Sequence, residues 1–102
     1  MNFRRSRFGA IVDTQLDVFV RDHGDLIDEV EQRLAAYNRA DRSEAEELYG
    51  DYVDAVDAAA DALAEMRDHY ARTVDDPDAY ERAFNRAAAR RLPEYARELD
   101  SR

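Results

Sequence analysis

The sequence predicts an all-α protein: a long antiparallel helical hairpin followed by a shorter, proline-kinked third helix. Together these make a three-helix bundle that oligomerisation could complete. Three observations carry this reading. Across residues 43–74, Tyr49, Tyr52, Val56, Ala59, Leu63, Met66 and Tyr70, with Thr73 next, recur in alternating steps of three and four, the spacing of a helical seam. Glu47, Asp54, Asp61 and Asp68 recur every seven residues on the other side, so one face seeks an apolar neighbour and the other seeks water. The same alternation runs from Phe8 to Tyr37. A polar turn at residues 38–42 separates the two stretches and has the length expected between antiparallel helices.

The elements follow in order. Residues 1–8 are a basic lead carrying Arg4, Arg5 and Arg7, which reads as a solvated end or a contact for an acidic surface. A helix over about residues 8–37 places Gly9, Val12, Leu16, Phe19, His23, Leu26 and Val30 on its stripe. Val20, Ile27 and Leu34 widen the stripe, as in a helix covered by two neighbours. Gly24 costs roughly 1 kcal/mol relative to alanine. The apolar phase carries through it, so one continuous helix is expected. The alternative is a break at His23-Gly24 with Asp25 capping a second helix. A second helix over about 43–74 opens with Ser43-Glu44-Ala45-Glu46, a capping-box pattern. Asp76 is a good cap and Pro77 a good first residue for a third helix over about 77–91. Its stripe is Tyr80, Phe84, Ala87, Ala88, Leu92, Tyr95 and Leu99. Pro93 cannot donate to the helical ladder, so a kink near residues 90–92 and a continuation to about 99 are expected. One domain over 1–102 suits the length. Helices of about 30 residues would each span roughly 45 Å, more than a compact bundle of this size needs. Apolar surface left over on such helices is normally covered by another copy or a partner.

Composition excludes several classes of chemistry. There is no cysteine, hence no disulfide, thiolate metal site or cysteine nucleophile. All 15 basic residues are arginine, which removes a Schiff-base or phosphate-loop lysine. The formal charge is −9, and it is unevenly placed. Residues 9–78 carry 20 acids against six arginines, whereas residues 79–102 carry four acids and six arginines. That balance argues against nucleic acid as a partner. No run approaches the ~18 apolar residues of a membrane span, and the start lacks the apolar segment of a signal peptide. A soluble, cytoplasmic protein is the expectation.

Two histidines could bear chemistry. His23 occupies a seam position, where a polar residue commonly fixes register and less commonly binds a metal. Glu65 and His69 share a helix face at metal-capable spacing, as ordinary surface pairs also do. Hairpin pairing separates His23 and His69 by about 12 positions, roughly 18 Å, so one hairpin cannot bring them to one ion. No Glu-x-x-His motif of a di-iron bundle occurs, and no nucleotide or catalytic-triad signature is present. No resident cofactor is expected. Tyrosines stand on most stripes, and Arg82, Arg86 and Arg90 repeat every four residues. Tyrosine and arginine are enriched at binding hot spots, so Tyr49, Tyr52, Tyr70, Tyr80, Arg82, Arg86, Arg90 and Tyr95 are the candidate partner-binding residues. The leading expectation is a non-enzymatic interaction or accessory protein that self-associates, as a dimer, or docks on a larger protein. The alternatives are a small-molecule or metal-binding bundle built on His23 with nearby acids or tyrosines, and an acidic regulator that sequesters a basic protein.

Overall fold

A computed structural model describes residues 7–102, and these are helical with short connections. Five helices follow in order: α1 (Gly9–Asp22), α2 (Gly24–Asn38), α3 (Ala45–Ala71), α4 (Pro77–Arg91) and α5 (Pro93–Leu99). The all-α class expected from the heptad stripes is the class observed, and no strand occurs among the described residues. The basic-lead residues Arg4 and Arg5 lie outside the described part. Arg7 pairs with Asp75 at 2.7 Å and lies over the Phe8 ring.

The first long helix is divided, contrary to the continuous helix that its apolar phase suggests. His23 adopts φ −115° and ψ 30°, outside helical values. Its N–H still closes α1 on the Phe19 carbonyl at 2.8 Å, while its own carbonyl accepts from Leu26 and Ile27 to open α2. The break costs no hydrogen bond at His23 and redirects the chain: α1 packs on α4, and α2 packs along α3. Gly24 is not required by crowding, because a Cβ there would meet nothing within 4 Å. The widened stripe also fails in part, since Val20 is exposed.

Two start signals have different outcomes. Asp76 caps α4 as expected, accepting from the Ala79 N–H at 3.1 Å with Pro77 as first helical residue. The Ser43–Glu46 capping box does not form. Ser43 instead donates its hydroxyl to Asp41 at 2.7 Å, and Asp41 also accepts the Glu44 N–H. An aspartate turn closes the loop before the helix begins, so the serine is no longer free to cap. Bonding to Ser43 holds the Asp41 carboxyl below its ordinary value. Pro93 divides the third helix at Leu92, as expected.

The core lies at one end of the molecule. Val12, Leu16 and Phe19 of α1 meet Ala59, Ala60, Leu63 and Ala64 of α3, Tyr80, Phe84 and Ala88 of α4, and Tyr95 and Leu99 of α5. Alanines on the α3 surface let three neighbouring helices approach closely. Beyond this core, α2 and the first turns of α3 continue alone as a two-helix arm. No residue from 31 to 55 is fully buried. The molecule is accordingly elongated, 53 × 32 × 24 Å with a radius of gyration of 15.8 Å, where a compact chain of this length would have about 13 Å.

Two buried polar side chains meet partners. The Tyr80 hydroxyl donates to Gln15 Oε1 inside the core. Burial pushes the Tyr80 phenol above its ordinary value and pushes Tyr95 up to about 12.

Stability should divide along the same line. Leu63→Ala in the core is expected to cost about 3 kcal/mol, and Val53→Ala in the arm under about 1 kcal/mol. Guanidinium unfolding of both variants measures this, and equal losses would refute a one-ended core. Unfolded tyrosine ionises near pH 10, but the folded chain keeps Tyr80 and Tyr95 neutral beyond that. Their contribution is therefore complete below about pH 10 and is lost as pH rises toward and past 12, by up to about 1.4 kcal/mol per pH unit for each phenol. Unfolding measured between pH 9 and 11.5 should show this fall, and Tyr80→Phe should make it shallower.

Candidate interaction surface

The candidate tyrosines divide into three groups. Tyr80 and Tyr95 are core residues, 0% and 5% exposed, and so present no docking surface. Tyr80 packs edge-on against Phe8 at 5.6 Å, and Gln15 of α1 satisfies its hydroxyl. In both cases the helical stripe that carries them is the core stripe of α4 and α5. Tyr70 is partly exposed, beside His69, with ring centroids 5.2 Å apart. Tyr49 and Tyr52 stand on the arm.

On the arm, Tyr37, Tyr49 and Tyr52 form a run of aromatic contacts from α2 to α3. Ring centroids are 5.2 Å apart for Tyr37–Tyr49 and 6.1 Å for Tyr49–Tyr52. Tyr49 is 51% exposed, the highest value among the large hydrophobic side chains. These rings lead into a groove of about 190 Å³ at the base of the arm. Tyr49, Tyr52, Val53, Val56 and Asp57 line it on α3, and Glu94, Arg97 and Glu98 line it on α5. Burial, reinforced by the charge of Glu94, raises the Tyr52 phenol above its usual value. An apolar floor, stacked tyrosines and a charged rim are the chemistry of a helix-docking surface.

Arg82, Arg86 and Arg90 do form an exposed ridge on α4. Arg90 reaches only the Arg86 carbonyl, at 3.5 Å, and none of the three has a carboxylate partner among the described residues. Arg91 turns inward instead, donating to the Asp13 carbonyl at 2.9 Å and pairing with Asp17. That bond ties α4 to α1.

The histidines do not converge on a site. His23 is half-buried at the α1–α2 break with its ring on Phe19, centroids 4.9 Å apart. Glu65 and His69 are exposed on α3 and form no ion pair among the described residues. Among the described residues no three His, Asp or Glu side chains gather as a metal set.

Sequence reasoning missed Arg67. It lies on the core side of α3 and is 3% exposed. Its Nε donates to Asp68 at 2.9 Å, with Glu81 at 3.6 Å. Nη1 donates to Asn85 Oδ1 and the Leu99 carbonyl, both at 3.2 Å, and Nη2 donates to the Arg102 carbonyl at 2.9 Å. One guanidinium thus joins α3, α4 and the end of α5. Arg102 adds contacts to Asp61 at 2.6 Å and Asp57 at 3.6 Å. An open depression of about 280 Å³ lies over Arg67, but protein groups already occupy its Nε and three further donor positions. The available signal was a basic residue three positions before Tyr70 in an otherwise alanine-rich stripe, and it reads equally well as surface.

No described helix is long and apolar enough to cross a membrane. Comparison with family models, curated proteins and solved structures finds no match to this chain.

Truncating Arg67 should release α5. Arg67→Ala is expected to cost about 3 kcal/mol, because the Leu99 and Arg102 carbonyls lose a buried charged donor. Arg102→Ala should cost under about 1 kcal/mol, as for a more exposed ion pair. Chemical unfolding gives both values, and hydrogen exchange of amides 95–102 should quicken in the Arg67 variant. Unchanged exchange would refute the clamp.

Proposed function

We propose that this chain is a non-enzymatic helical interaction protein that binds another polypeptide through the tyrosine-lined face of its α2–α3 arm. The observation that carries the reading is the arm itself. Residues 31–55 include Leu34, Tyr37, Leu48, Tyr49, Tyr52 and Val53, yet none is fully buried. Two helices packed only on each other leave one apolar side to water, at about 25 cal/mol for each Å² left uncovered. The cost is avoided when another helix lies on that side. No residue of the projection belongs to the fully buried core, and only Tyr52 and Ala55 at its base pack against that core. The exposed arginines of α4 supply a second polar surface, but without an apolar centre, and desolvated apolar anchors dominate binding energy.

A photo-reactive benzoylphenylalanine at position 49, activated in cells expressing the full chain, tests the reading. A discrete adduct is expected at position 49 and none from the same group at Asp25, which is exposed on the first turn of α2. Equal labelling at both positions, or none at either, would defeat it.

A further inference from the structure

Resting on that reading, we infer the chemistry of the partner: an amphipathic helix whose apolar stripe is flanked by basic residues, laid in the groove between the arm and α5. The same face of α3 already carries one helix at its lower end. There α5 packs along α3 with Tyr95 and Leu99 buried, and the Tyr95 phenol feels the charges of Glu31 on α2 and of Glu94. Toward the turn the groove is open. Its floor continues as Tyr52, Val53 and Tyr49, within the first eight or so residues of α3 after Ala45, enough for roughly two turns of a docked helix.

Charge selects the occupant. Of the groups lining the groove, Asp57, Glu94 and Glu98 are acidic and Arg97 is basic. Arg102 reaches Asp57 at 3.6 Å and Glu98 at 3.4 Å, so Glu94 is the lining carboxylate with no arginine pair among the described residues. Of the carboxylates in residues 31–55, Asp51 and Asp54 line a separate depression with Arg33, so the bias is that of the groove's own lining with Glu31 beside it. Arg39 and Arg42 stand in or beside the turn at the far end, and Arg33 pairs with Glu29 at 2.7 Å beside Asp51 and Asp54, away from this groove. A helix entering the groove therefore meets an apolar floor beside Glu94 and Glu31, in walls whose charge stays net negative after Arg97 and Arg102 are counted, and basic flanks complement them. A second copy of this chain is a poor occupant. It brings a formal charge of −9 against −9, and its basic helix α4 already buries its own apolar stripe, Tyr80, Phe84 and Ala88.

Fluorescence anisotropy with labelled 18-residue model helices tests this on the full chain. One peptide is leucine and arginine with a helical apolar stripe. A second has the same composition scrambled, and a third replaces arginine with glutamate. The striped basic peptide should bind in the micromolar range and the other two at least tenfold more weakly. Glu94→Arg and Tyr49→Ala should each weaken it at least fivefold. Asp25→Arg, the same charge change outside the groove, should weaken it less than twofold. Circular dichroism checks that each variant keeps its helices. Equal binding of the scrambled or acidic peptide overturns the inference, as does a loss from Asp25→Arg equal to that from Glu94→Arg. Light scattering on the same variants separates the two readings. A dimer dissociated by Tyr49→Ala would put a second copy in the groove, which overturns the basic-helix inference and leaves the docking arm standing. If Tyr49→Ala changes neither peptide binding nor mass, and position 49 yields no adduct, both fall.

Discussion

The structure depends on a mismatch of lengths. Helix α3 has 27 residues, about 40 Å, whereas α1, α4 and α5 have 14, 15 and seven. Shorter helices gathered at one end of a long one can cover only that end. There the α3 face is mainly alanine, with Leu63 as the large anchor, so backbones approach closely and Tyr80, Phe19 and Phe84 fill the space between. The other end of α3 has only α2 beside it. Core and arm are thus two consequences of one helix being longer than its partners.

Two polar devices hold the short helices in place. Inside the core, Tyr80 donates a hydrogen bond to Gln15, joining α4 to α1 where no water can substitute. At the edge of the core, Arg67 gathers backbone carbonyls from the end of α5. A carbonyl accepts a hydrogen bond whatever side chain it carries, so this clamp fixes the position of α5 without depending on its side chains. Placing α5 there also builds the groove, because Glu94, Arg97 and Glu98 become its second wall.

The charge pattern follows the same division. Acidic groups on the core half are drawn into ion pairs with arginines of other elements: Asp17 with Arg91, Asp61 with Arg102 and Asp75 with Arg7. On the arm, Glu44, Glu46, Glu47 and Asp54 are exposed, with no arginine-rich helix near enough to neutralise them. The arm therefore carries uncovered apolar groups on one face of α3 and, on the other, carboxylates such as Glu47 and Asp54 that form no ion pair among the described residues.

The sequence by itself determined the helical class, the turn after α2, the start of α4 at Asp76-Pro77 and the division at Pro93. These are local: periodicity, a capping aspartate and a missing N–H act within a few residues. Only the tertiary structure decided the break at His23, because α1 must leave the α2 direction to reach α4, and the stripe alone cannot register that demand. The tertiary structure also decided that Asp41 takes the hydroxyl a capping box would have used. It sorted the tyrosines, since an identical stripe position is core for Tyr80, where α4 faces α1, and open arm for Tyr49, according to which helices lie opposite. It made Arg67 interior for the same reason: burial is a property of neighbours from distant parts of the chain, and a single helix face does not encode them.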